Sequence, residues 1–203
     1  MKNAVIFMQS RTGSSMIAGV FRAHGWATGG DDVRSRNYVT HENQRIKTYL
    51  KRAYGTRRTP VMAAEPDTRL QAIIESEFGD RPWCWKGDLF YASLWSASFP
   101  DLAAVYVKRD IPDAVRSGLV GRTFPLRRGD GRVVDYETAA SELEDFLKLK
   151  FALMDELCLA GLPGRIVDAS AVMRGELDTL REAVEYAGGT WDEGAARSVI
   201  RIR

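Results

Sequence analysis

Cysteine is scarce in this sequence. The 203 residues hold two, Cys84 and Cys158, far apart and in no metal-binding spacing. Two cysteines cannot build a dense disulfide framework, so a reducing, intracellular setting is expected. A charge excess of either sign is also lacking. Lys and Arg number 29 against 27 Asp and Glu, a net charge of +2, which argues against a nucleic-acid binder working through bulk charge. Long hydrophobic runs are missing as well. No stretch nears the roughly 20 apolar residues of a membrane span. The apolar run at Ala4–Met8 is too short for a signal-peptide core. The expectation is a cytoplasmic protein with neither nucleic-acid nor membrane partners. Repeats and low-complexity segments are absent too.

What is present is ample core material. Hydrophobic residues make up 45% and charged residues 28% of the chain, enough to bury a sizeable interior. The length fits one domain over residues 1–203. Ala4–Met8 reads as a buried strand, then a polar turn, then a helix carrying Met16, Ile17, Val20 and Phe21, with Gly25 as its stop. Residues 28–37 read as an irregular connection. Helices are predicted over 42–53 and 66–78, a short aromatic strand over 83–85, and one or two helical turns over 89–98. A second buried strand covers 103–107, and Pro112 suits the first turn of the next helix. Residues 122–135 read as a loop. The longest helix covers 137–159, with Leu143, Phe146, Leu147, Met154 and Leu157 on one stripe. A strand at 165–167 and a helix at 177–187 complete the pattern. Strands alternating with helices predict a three-layer α/β/α fold with a central parallel sheet.

The turn after the first strand is Ser10-Arg11-Thr12-Gly13-Ser14-Ser15. Between a strand and a helix start, free backbone N–H groups converge where the helix dipole favours an anion. Gly13 allows close backbone approach, Thr12, Ser14 and Ser15 add hydroxyls, and Arg11 adds a fixed charge. The turn is not a Walker A loop, which places a lysine directly after its last glycine, where this chain has Ser14. Ser and Thr would equally cap a helix with no ligand.

A second segment, from Val105 to Gly118, ends a strand in Lys108-Arg109-Asp110 and places Ser117 eight residues after Arg109. An arginine at a strand's carboxyl end and a hydroxyl in the next helix can share one phosphate, because open α/β sheets bind ligands at those ends.

These two segments resemble the signatures of the PAPS-dependent sulfotransferases, whose P-loop-like domain binds 3′-phosphoadenosine 5′-phosphosulfate (PAPS). Arg11 to Ser15 match the family's first loop, with Ser10 in place of its usual proline, and Arg109 and Ser117 keep the spacing of the second signature. The resemblance implies a P-loop NTPase-like fold. It puts the 5′-phosphosulfate on Arg11, Thr12, Gly13, Ser14 and Ser15, and the 3′-phosphate on Arg109 and Ser117. Trp83-Cys84-Trp85-Lys86-Gly87-Asp88 also resembles a family segment, with Lys86 assisting transfer. Glu42 or His41 would serve as general base, with Asp88 in reserve. Arg11 joins them as a catalytic residue, and no metal is required. The acceptor would be a small molecule or carbohydrate bearing a hydroxyl or amine.

Other residues have plainer readings. Trp83 and Trp85 suit core packing, His24 a helix C-terminus, and Arg122, Arg127, Arg128 and Arg132 a solvated loop. The family's basic C-terminal loop has no clean counterpart, with Arg197, Arg201 and Arg203 as weak substitutes. Two alternatives stay open. One is a non-catalytic nucleotide-binding module. The other is an atypical P-loop kinase, which would lack both the Walker lysine and a magnesium aspartate.

Overall fold

A computed structural model describes residues 1–8, 12–29, 34–35, 38–39, 41–55, 60–120, 133–159 and 162–200. Its centre is a four-stranded parallel sheet. The strands are β1 (Ala4–Met8), β4 (Cys84–Asp88), β5 (Ala103–Lys108) and β6 (Gly164–Asp168), in the order β4-β1-β5-β6. β1 and β5 are covered on both faces, which is why Ala-Val-Ile-Phe and Ala-Ala-Val-Tyr-Val run apolar without alternation. β6 stands at the edge and exposes Arg165 and Ile166.

One face of the sheet carries α1 (Ser14–Ala23), α7 (Ala169–Met173), α8 (Asp178–Tyr186) and α9 (Glu193–Val199), closed around Ile6, Val105 and Val107. The other carries α2 (Gln44–Tyr54), α3 (Thr68–Phe78), α4 (Ala92–Ser98) and the later part of α6 (Tyr136–Leu159), over Val5, Phe7 and Tyr106. Here Trp83, Trp85, Trp95, Phe78 and Phe99 pack ring on ring, some stacked and Trp83 edge-on to Phe99, with Trp85 and Trp95 at 4.6 Å between ring centroids. The core reading of these aromatics fits. The earlier part of α6 packs on α5 (Ile111–Val120). This is the three-layer arrangement the strand–helix alternation predicts.

Local chemistry sets the helix starts. Asn43 caps α2 by accepting from Arg45 and Ile46, and Asp67 caps α3 by accepting from Leu70. Asp67 also accepts from the hydroxyls of Tyr49 and Tyr54, which ties α2 to α3. Tyr49 is consequently pushed up to about 12 by burial and by its bond to Asp67.

Two features depart from the sequence reading. Residues 28–37, expected to be irregular, include β2 (Arg34–Ser35), which pairs antiparallel with β3 (Tyr38–Val39). α7 and α9 were not anticipated. The helical turns expected over 89–98 are present, as a 3-10 turn at Leu89–Tyr91 followed by α4. Among the described residues, no helix is long and apolar enough to cross a membrane.

Candidate functional site

The topology itself marks a cleft. From β1 the chain moves outward to β4, and from β5 it moves the opposite way to β6. Loops leaving β1 and β5 therefore part at the carboxyl edge of the sheet, where open parallel sheets bind ligands. Both sequence motifs lie on those loops.

On the first, Gly13 is the N-cap of α1 with φ +89, a left-handed conformation that suits glycine and turns the opening N–H groups of the helix outward. The turn is also tight. A Cβ at position 13 would lie 3.2 Å from Ala169 Cβ. Thr12 is fully buried, Ser14 nearly so, and no acidic residue stands in the first turn of α1 to compete with an anion. Arg11 lies outside the described residues.

On the second, Arg109 stands just beyond β5, the strand that pairs in parallel with β1 through Phe7 and Tyr106. Arg109 is half-buried and its Nε is enclosed. The next residue, Asp110, donates its backbone N–H to Ser170 Oγ at 3.0 Å. Ser170 and Ala169 are neighbours on α7, so the two motif loops rest on one short helix. Ser117 is half-buried on α5, six residues after Ile111, roughly 9 Å along the axis.

The third element is a buried chain of polar groups. Lys86 projects from β4 beside Ile6, only 5% exposed, and donates to Ser15 Oγ at 2.7 Å. On its other side stands Glu42 Oε1 at 3.2 Å, while Glu42 Oε2 receives Lys47 of α2 at 2.5 Å. Burial pulls the Lys86 ammonium below its usual range, and Glu42 opposes that pull. Burial pushes Glu42 up, but its bonds to Lys47 and Lys86 outweigh this and leave it below the ordinary carboxylate range. The network thus brings a cation against the first motif, held by a carboxylate from the segment before α2.

His41 sits just upstream with φ +53, an uncommon value for a residue with a side chain. Its ring packs on α1. A Cβ at Gly19 would stand 3.3 Å from His41 Nε2 and 2.7 Å from Val199 Cγ1, so glycine there lets both His41 and α9 close on α1. Its Nδ1 lies 3.2 Å from Thr28 Oγ1. This packing fixes the backbone from which Glu42 reaches Lys86.

Asp88 ends β4 beside Met8. Its Oδ1 accepts the N–H of Phe90 at 3.0 Å and meets Lys150 Nζ at 2.5 Å. Lys150, on α6, is entirely buried, its ammonium 3.3 Å from the centre of the Phe90 ring. Sequence reasoning missed it, although a signal existed. Ala139, Leu143, Leu147, Lys150 and Met154 follow one another by four, four, three and four residues, and all are buried.

Of the plainer residues, His24 sits where it was read. His24 follows α1, its Nδ1 2.8 Å from Val20 O, while Nε2 accepts the backbone N–H of Asp192 at 3.0 Å. Arg197 is exposed and paired with Glu193 at 2.7 Å. Arg122, Arg127, Arg128, Arg132, Arg201 and Arg203 lie outside the described residues. An open depression of about 410 Å³ between Met1–Asn3 and Ser98–Leu102 lies at the amino ends of β1 and β5, the opposite edge from the motifs.

No protein-family profile matches the sequence, and no curated protein does either. Solved structures do match. A sulfotransferase domain from the curacin biosynthetic pathway aligns over 98% of this chain and 78% of its own, with TM-score 0.59 and 11% identity. The chain has a sulfotransferase fold. A sulfotransferase from Alicyclobacillus acidocaldarius aligns over 94% of this chain and 82% of its own, with TM-score 0.52 and 13% identity. One from Mycobacterium avium aligns over 97% and 67%, with TM-score 0.51 and 12% identity. At such identities the likeness lies in the arrangement of strands and helices. The sulfotransferase fold here is the architecture expected from the two motifs.

Proposed function

We propose that this protein is a sulfotransferase, moving the sulfuryl group of PAPS to a hydroxyl or amine of a small-molecule or carbohydrate acceptor. One observation carries the reading: on this fold, buried Lys86 reaches Ser15 in the anion loop while Glu42 holds it from behind. The loop lacks the Walker lysine, and a lysine from the neighbouring strand supplies a cation at the same turn.

The acceptor's oxygen or nitrogen bonds to sulfur, the bond from sulfur to the bridging phosphate oxygen breaks, and adenosine 3′,5′-bisphosphate leaves. Arg11, Thr12, Gly13, Ser14 and Ser15 hold the 5′-phosphosulfate. Arg109 and Ser117 take the 3′-phosphate. Lys86 offsets the charge that grows on the leaving oxygen, the role preorganised cations fill most effectively in a water-poor site. Of the two candidate bases, Glu42 touches Lys86 directly, whereas His41 is packed against Gly19 and Thr28. Glu42 therefore takes the acceptor's proton and His41 positions it. The residues fit a polyanionic donor without a metal, since cations and a helix N-terminus supply the compensating charge. A cytoplasmic setting belongs to the same proposal.

Titration calorimetry tests the donor assignment. Adenosine 3′,5′-bisphosphate should bind much more tightly than 5′-AMP. Arg109→Ala should weaken the bisphosphate by about 1.5–3 kcal/mol, roughly 10- to 150-fold. Equal affinity for the two nucleotides would remove the 3′-phosphate assignment. Turnover of labelled donor then separates transfer from mere binding.

A further inference from the structure

The Asp88–Lys150 pair is left unused by the transfer chemistry. Lys86 and Asp88 alternate on β4, so both side chains start from the same side of the strand, roughly 6.6 Å apart. Lys86 reaches the anion loop, and Asp88 ends the strand at the same edge. The Asp88 side chain is 44% exposed, and among the described residues one of its oxygens carries both contacts. Oδ1 takes both Phe90 N–H and Lys150, while no described residue bonds Oδ2. A buried ammonium is costly, and this one is retained where it fixes a half-exposed carboxylate.

We propose that Asp88, oriented by Lys150, grips a second hydroxyl of the acceptor while a first hydroxyl reacts beside Lys86, which makes the acceptor a polyhydroxylated ring. The inference rests on the sulfotransfer reading and narrows it. Paired with Lys150, Asp88 forms a net-neutral unit, which suits a neutral hydroxyl better than an ammonium. Charge-assisted hydrogen bonds from a hydroxyl to a carboxylate are among the strongest neutral-ligand contacts available. The backbone separation of Lys86 and Asp88 along the strand is on the scale of a single sugar-like ring. Lys150 is a positioning residue. It touches the carboxylate, not the acceptor.

The test compares two rigid probes, myo-inositol and cyclohexanol, as acceptors of labelled sulfuryl groups from PAPS. Bisphosphate affinity is measured in parallel for every variant, so that a misfolded protein is recognised. The native enzyme should prefer inositol at least tenfold in kcat/KM. In Asp88→Ala and Lys150→Met that preference should fall at least tenfold, through a higher KM for inositol, and Asp88→Glu should restore part of it. An unchanged preference in Asp88→Ala overturns the inference. So does a native enzyme that favours cyclohexanol, or one that hydrolyses PAPS but sulfates neither probe. In those cases the donor reading stands. If the bisphosphate itself fails to bind, the donor reading falls and takes this inference with it.

Discussion

The two buried lysines, Lys86 and Lys150, answer one electrostatic problem in opposite surroundings. Each is almost or wholly removed from water, each faces one carboxylate, and in each burial pulls the ammonium below its usual range while the carboxylate opposes it. Lys86 sits in a polar chain from Ser15 to Lys47, with hydrogen-bond partners on two sides. Lys150 lies against the rings of Phe90 and Phe146, with Asp88 as its one anionic partner among the described residues. The first arrangement points a charge at Ser15, in the turn proposed to hold the donor's anion. The second spends a charge on holding another side chain still. Burial alone therefore does not distinguish a lysine that acts on a ligand from one that arranges a neighbour. The partners do.

Substitution should separate the two most sharply in turnover. Lys86→Met should lower sulfuryl transfer by about 10²–10³-fold, the usual loss when one preorganised transition-state contact is removed, with bisphosphate affinity changing far less. Rapid-quench measurement of labelled product checks this. Comparable losses in donor affinity and turnover would make Lys86 a binding residue instead.

Stability gives the next contrast. Gly19→Ala would drive a methyl into Val199 and the His41 ring, at a cost of about 1–3 kcal/mol in chemical denaturation. Lys150→Met should stay within about 1 kcal/mol of native, because Asp88, left alone, can be hydrated, and an apolar chain suits the aromatic surroundings. A large loss in Lys150→Met would break the comparison, since the charge would then be holding up the fold.

The last contrast is a displacement in pH, read on the turnover that survives loss of the proposed base. In Glu42→Gln the group that raises Lys86 is gone while the burial that lowers it remains, so the lysine sheds its proton at lower pH. The alkaline limb of kcat should move toward neutrality. Stability has the matching sign. The unfolded chain keeps this proton up to the ordinary lysine value of 10.5, so Glu42→Gln gains stability with rising pH over a wider window below it. An alkaline limb that does not move would dissociate Lys86 from the rate.

The elements that carry the two motifs were legible because their signals are local. Ala4–Met8 and Ala103–Lys108 are apolar runs bounded by polar turns, and the start of α1 follows a glycine that can adopt a left-handed angle. The bridge between Lys86 and Glu42 was not legible in that way, because it joins side chains 44 residues apart that meet only when β4 pairs with β1. Lys150 shows a different limit. Lys148, two residues earlier, is exposed and paired with Glu144, and in sequence the two lysines look alike. Only the phase of the helical stripe tells them apart. α7 stayed hidden because Ala-Ser-Ala-Val-Met is too short to display a period.

That same five-residue helix has a mechanical consequence. Ala169 abuts the turn at Gly13, and Ser170 tethers the backbone at Asp110. Any tilt of this strut displaces both motif loops together, so on the proposed reading grip on the two ends of the donor should loosen or tighten in concert rather than one phosphate at a time.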